Sequence, residues 1–158
     1  MTASVHTADP NRLLGMTGLE AMRALMTRQL EGVSIAKTLN YWLTEVDDGR
    51  AVFEGEPTAA VLNPLGIVHG GWALTLIDSA CGCAVHTTLP PGVGYTSLET
   101  KVNFTRAITP ETGRVRCEGL VVARGRTILT AEARLTDGRN RLLAHGSSTL
   151  MALRPDAR

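Results

Sequence analysis

GGWALTLIDSACGCAVHTT, residues 70–88, differs from every other stretch of the chain. Trp72, Ala73, Leu74, Leu76, Ile77, Ala80, Cys81, Cys83, Ala84 and Val85 cover most of a helical circumference. A helix that is apolar nearly all round is a buried one. Pro90-Pro91-Gly92 ends it. One residue breaks the pattern: Asp78 sits among Leu74, Leu76, Ile77, Cys81 and Cys83. An uncompensated polar group in such surroundings costs roughly 2–7 kcal/mol, and an unpaired charge costs more. The expectation is a buried carboxylate that is paired, hydrogen-bonded or kept for chemistry.

Around this helix the pattern is that of strands. Upstream, residues 1–16 read as a flexible tail, and the single domain is expected over 17–158. Thr17 and Glu20 form a T-x-x-E capping box. Leu19, Met22, Leu25, Met26 and Leu30 continue it as an amphipathic helix near 18–31. Ile35, Leu39, Tyr41 and Leu43 predict a strand. Asp48-Gly49 signals a hairpin into a second strand near 50–57. Downstream, Leu98, Thr100, Val102 and Phe104 alternate with Ser97, Glu99, Lys101 and Asn103. Two further strands fit 114–123 and 127–136, and Asp137-Gly138 turns into a last one near 141–153. The order is helix, two strands, buried helix, four strands. Strand and helix do not alternate, so a doubly wound sheet is disfavoured. The fold class expected is α+β, an antiparallel sheet curled around the long central helix.

Bulk properties narrow the function. The chain has 158 residues, 44% hydrophobic and 20% charged, with net charge +1. That is a soluble globular balance with no general pull toward nucleic acid or an anionic membrane. With two Trp, two Tyr and two Phe, base stacking is disfavoured. Cys81, Cys83 and Cys117 have neither disulfide-framework nor zinc-site spacing, and read as small buried side chains. No metal is expected. The start, MTASVHTADPNR, has no apolar h-region, and no run is apolar enough to span a bilayer, so a cytoplasmic location is expected.

The chemistry gathers at the head of the central helix, in Asn63-Pro-Leu-Gly66-Ile-Val-His69-Gly70-Gly71. The first amides of a helix have no internal partner and lie at the positive end of its dipole. Glycine there lets a ligand carbonyl approach the backbone, where an amide can polarise it. Two glycines also simply make a tight turn, Asn63 before Pro64 suits a turn, and a lone His69 suits an anchor of the loop. Gly70 and Asp78 are separated by about 12 Å along one helix at ~1.5 Å per residue. Both cannot reach one carbonyl carbon. Two copies packed antiparallel about a two-fold would bring Gly70 of one near Asp78 of the other.

The run N-x-x-G-x-x-H-G-G followed by Leu76-x-Asp78 resembles the phenylacetate-degradation (PaaI-type) acyl-CoA thioesterases of the hot-dog superfamily. The resemblance covers residues 35–153 and agrees with the element order. It implies hydrolysis of acyl-CoA, with Asp78 activating water or attacking the thioester and Gly70 donating the polarising amide. Asn63 and His69 would support the site from the loop. A hydroxyl early in the next strand would help place the water; Ser97 matches by strand pattern, with Thr96 its neighbour. Arg124 and Arg126 flank Gly125 at a hairpin tip and, with Arg106, are candidates for the phosphates of coenzyme A through charge-assisted hydrogen bonds; as single residues they read equally as solvated loop arginines. Coenzyme A is then part of the substrate and no separate cofactor is implied. The resemblance implies a homodimer at least, and a homotetramer. His86, near the end of the helix, is read as a surface partner of its dipole, and His6 and His145 are given no role. Two rivals remain: a hot-dog enoyl-CoA hydratase and a non-catalytic acyl-CoA-binding protein. The hydratase pattern pairs its Asp with a nearby His further along, where His86 is the only candidate and is wrongly spaced. No G-x-S-x-G elbow, Walker loop or strand–GxGxxG–helix unit is present.

Overall fold

A computed structural model describes residues 10–155. The elements are α1 (Pro10–Leu14), α2 (Gly18–Met26), α3 (Ser34–Leu39), β1 (Tyr41–Asp47), β2 (Arg50–Gly55), α4 (Gly70–His86), β3 (Gly94–Phe104), β4 (Val115–Arg124), β5 (Ile128–Asp137) and β6 (Leu142–Leu153). The six strands form one antiparallel sheet in the order β1-β2-β4-β5-β6-β3. The sheet curls around α4, the expected hot-dog arrangement. Trp72, Ala73, Leu76, Ile77, Ala80, Cys81, Ala84 and Val85 bury one side of the helix against the strands. Where β4 crosses α4 only glycine fits: a Cβ on Gly119 would lie 2.3 Å from the Ala80 carbonyl oxygen. Cys81 and Cys117 are buried, and burial pushes the Cys81 thiol up to about 12.

Several expectations need correction. The tail foreseen over 1–16 is structured from Pro10 onward, and residues 1–9 lie outside the described part. Leu13 and Met16 pack on Ala21, Met22 and Val46, and the Gly92 amide donates to the Leu14 carbonyl at 2.7 Å. The capping box is present, with Thr17 and Glu20 bonded reciprocally, but α2 stops at Met26. The strand predicted to begin at Ile35 is instead α3. Ile35 and Leu39 are four apart, a spacing that serves a helix as well as an alternating strand. Asn40, at φ 54°, ends that helix, and Trp72 Nε1 ties it to α4 through the Leu39 carbonyl at 2.8 Å. His86 is not a surface residue: it is half-buried with its ring edge-on to Tyr95, centroids 5.5 Å apart. On the outer face of β1, β2 and β4, Glu45, Arg50, Arg116 and Glu118 form a lattice of ion pairs. Its hydrogen bonds, first those from Arg116, hold the Glu118 carboxyl below its usual range.

Candidate active site

The first turn of α4 is set by the loop before it. His69 is the N-cap, and its Nδ1 accepts the Gly71 amide at 2.9 Å. The Gly70 amide finds no acceptor among the described residues. It opens on a cavity of about 480 Å³ lined by Asn63, His69, Gly70, Phe104 and Arg106 among others. Phe104 leans over Gly70: a Cβ there would come 2.9 Å from its ring. Asn63 is busy with its own loop. Its Oδ1 accepts the amides of Leu65 at 2.9 Å and Ile67 at 3.3 Å, and its carbonyl accepts the Gly66 amide at 3.0 Å. Only its side-chain NH2 is left for a ligand.

Asp78 is half-buried rather than buried, which corrects the expectation. The sheet covers one side of α4 and leaves a strip of Gly71, Leu74, Thr75 and Asp78 uncovered, with Leu74 37% exposed. Apolar composition all round the helix therefore does not mean burial all round within one chain. Asp78 Oδ1 accepts two hydroxyls, Ser97 Oγ at 3.0 Å and Thr100 Oγ1 at 2.7 Å. Thr96 makes no hydrogen bond to Asp78 among the described residues. Thr100 was not foreseen, because three residues apart on a regular strand it would face away from Ser97. On the other flank of the helix Tyr41 Oη and Ser79 Oγ are 3.0 Å apart, and burial pushes the Tyr41 phenol up.

The sequence-predicted residues thus fall into separate groups. Asn63, His69, Gly70 and Arg106 surround one cavity, and Asp78 and Ser97 meet two turns further along. Arg124 and Arg126 lie at the far end of the helix. Arg124 Nη2 pairs with Asp48 Oδ2 at 3.0 Å in the β1–β2 turn, and the Gly49 amide of that turn bonds to Thr87 Oγ1, the C-cap of α4, at 2.8 Å. The Arg126 carbonyl accepts from Arg154. Among the described residues no three of His, Cys, Asp and Glu are grouped to hold a metal, and no helix is long and apolar enough to cross a membrane.

The sequence profile of the thioesterase superfamily matches residues 65–144, the segment from the Gly70 loop to the start of β6. The chain belongs to the thioesterase superfamily. By sequence this thioesterase is 24% identical over 118 residues to the 1,4-dihydroxy-2-naphthoyl-CoA hydrolase of Listeria monocytogenes serotype 1/2a (strain 10403S), an overlap of 75% of this chain and 94% of that one. A thioesterase family protein from Silicibacter pomeroyi superposes with TM-score 0.74 at 29% identity, covering 85% of this chain and 96% of the other. A phenylacetic acid degradation-related protein from Ralstonia eutropha JMP134 gives 0.75 at 25% identity, covering 82% and 98%. The PaaI-type resemblance and the hot-dog fold are thereby borne out.

Proposed function

We propose that this thioesterase hydrolyses acyl-CoA to a free acid and coenzyme A, at sites shared between the subunits of a homodimer. The observation that carries the reading is Asp78 on the open strip of α4. Its Oδ1 is tethered by two hydroxyls, while Oδ2 has no hydrogen-bond partner among the described residues. A carboxylate so held serves as a base for water or as the nucleophile itself. The Gly70 amide polarises the thioester carbonyl and stabilises the negative oxygen of the tetrahedral intermediate. His69 orients that turn by holding the neighbouring amide. The thiolate of coenzyme A then leaves. When water attacks, the proton Asp78 took from it passes to the thiolate. When Asp78 attacks, water afterwards cleaves the acyl-Asp78 anhydride to release the acid and supply that proton.

Because Gly70 and Asp78 are about 12 Å apart on one helix, the site takes Gly70 from one copy and Asp78 from the other. Two features support this pairing: the uncovered strip of α4, and the 11-residue strand β3, which ends the sheet with its outer edge unpaired among the described residues and Leu98 54% exposed. Long unpaired edges of this kind are templates for a further strand. Antiparallel helices also bring the partner's Arg124–Arg126 tip to the end where Arg106 lines the Gly70 cavity. The three arginines then converge on the phosphates of one coenzyme A, and dimers pair further into a tetramer. The CoA hydrolase among the relatives supports coenzyme A as the carrier.

Thiol release from a panel of acyl-CoA esters tests the activity. Asp78→Asn should lower kcat about 10²–10⁴-fold, the worth of general base catalysis. No release by the parent protein from any ester would leave the non-catalytic binder in place. Shared sites are tested by mixing. Asp78→Asn and Gly70→Val chains, each inactive alone, should recover about one quarter of parental activity once subunits exchange, since half the dimers are mixed and each holds one intact site. No recovery despite exchange would place each site within one chain.

A further inference from the structure

Thr100 owes its contact with Asp78 to an irregularity in β3. Ser97 lies opposite Leu150 on β6 and Glu99 lies opposite Thr149, so Leu98 is an extra residue in the strand. Such a bulge re-aims the side chains beyond it. It brings Ser97 and Thr100 to the same side, facing α4, and turns Leu98 outward. Thr100 Oγ1, 2.7 Å from Asp78 Oδ1, is also 3.0 Å from Ser148 Oγ on β6. Ser148 is 1% exposed, and its Oγ is 2.9 Å from the Glu99 carbonyl oxygen. A chain of contacts therefore runs from Asp78 through Thr100 and Ser148 to a main-chain carbonyl.

We propose that Thr100, backed by Ser148, is a positioning residue that holds Asp78 Oδ1 as an acceptor and reserves Oδ2 for the reaction; this rests on the thioesterase reading above. The argument is a count of protons. Each hydroxyl has one. While Asp78 is ionised, Thr100 donates to Oδ1, and its oxygen can accept the Ser148 proton when that proton turns from the Glu99 carbonyl. When the charge on Asp78 is lost, by taking a proton from water or by acylation, both hydroxyls can turn. Thr100 then donates to Ser148, and Ser148 to the Glu99 carbonyl. No proton leaves the chain, and buried Ser148 is paired in both states. Ser97 is exposed, so water can replace it. The titratable groups in the field of Asp78 are Tyr41 on β1, Tyr95 on β3, and Cys81 and Cys83 on α4; burial pushes all four up, so they stay neutral at neutral pH. The hydroxyl chain answers to Asp78 alone among them.

The test compares Thr100→Val, which keeps the shape, with Thr100→Ser, which keeps the hydroxyl. A hydrogen bond to a charged group corresponds to roughly a 10- to 100-fold effect. Thr100→Val should lower kcat by that factor, keep KM within about twofold and move the acid limb of the kcat–pH profile to higher pH. Thr100→Ser should restore most of the rate. Ser148→Ala should shift kcat and the acid limb in the same direction but less, and it stands in if Thr100→Val does not fold. A folded Val variant with kcat within about twofold of the parent and an unmoved profile would overturn the proposal, as would a Ser variant as slow as Val. A carboxyl carbon NMR titration of Asp78 separates this outcome from failure of the thioesterase reading. If the parent hydrolyses no thioester, that reading falls, while an Asp78 titration unchanged by Thr100→Val still overturns the positioning role.

Discussion

The two ends of α4 are built in opposite ways. At the C-terminal end the polar groups are taken up by the fold. Thr87, 4% exposed, donates to the Ala84 carbonyl at 2.6 Å and accepts the Gly49 amide at 2.8 Å. Thr88 donates to the Val85 carbonyl at 2.8 Å, and the Gly18 amide donates to the Leu89 carbonyl at 2.9 Å. The start of α2 lies so close that a Cβ on Gly18 would sit 1.6 Å from the His86 carbonyl oxygen. At the N-terminal end His69 answers one amide, the Gly70 amide has no partner among the described residues, and a cavity opens in front of it. A helix leaves donors unsatisfied at one end and acceptors at the other. Here the fold takes up the acceptors and leaves the Gly70 amide without a partner among the described residues.

The contrast can be broken at either end. The largest loss should come from Gly18→Ala, because the new methyl meets main chain and α2 must move. Overpacking of this kind costs about 1–3 kcal/mol or more. Thermal unfolding should show it as a Tm lower by several degrees, with activity per folded molecule retained; an unchanged Tm would mean the junction is loose. Thr87→Val should cost about 1–3 kcal/mol by orphaning the buried Gly49 amide. Denaturant titration measures that loss, and a drop in kcat without it would contradict a purely structural cap. His69→Ala removes an N-cap worth about 0.5–2 kcal/mol. It should also lower kcat/KM about tenfold by loosening the turn that aims Gly70. A loss of stability with unimpaired kinetics would make the amide end as structural as the other.

The smallest effect should be a pH dependence at the sealed end. Burial holds the His86 imidazole below its usual value of about 6.5. As pH falls through that value the unfolded chain takes up the proton first, so stability is full above it and declines toward the lower folded value. Replacing His86 with Gln should flatten Tm between about pH 7 and pH 5. An equal slope in both proteins would assign the acid sensitivity elsewhere.

Much of this was legible in the sequence. Burial of α4 against a sheet follows from its composition, and the Thr17–Glu20 box and Asp48-Gly49 turn fix where α2 starts and β1 ends. What escaped depends on context. Ile35 and Leu39 do not distinguish helix from strand. The bulge at Leu98 carries no glycine or proline to announce it, so strict alternation put Thr100 on the wrong side from Ser97. The open strip of α4 is invisible to periodicity, because Leu74 is as apolar as Leu76. The reach of Arg124 depends on which end of the helix its hairpin meets, a matter of sheet order rather than of local pattern.

The loop before α4 encodes its own shape. Asn63 organises residues 63–67 through its side chain and main chain, and Gly66 supplies the positive φ of 75° that the turn requires. Leu65 at its tip is 84% exposed. The conformation that presents Gly70 is therefore insulated from the identity of residue 65. That position is open to substitution at little cost to the turn, and a library at Leu65 would vary the exposed surface of the loop while the Gly70 amide keeps its aim.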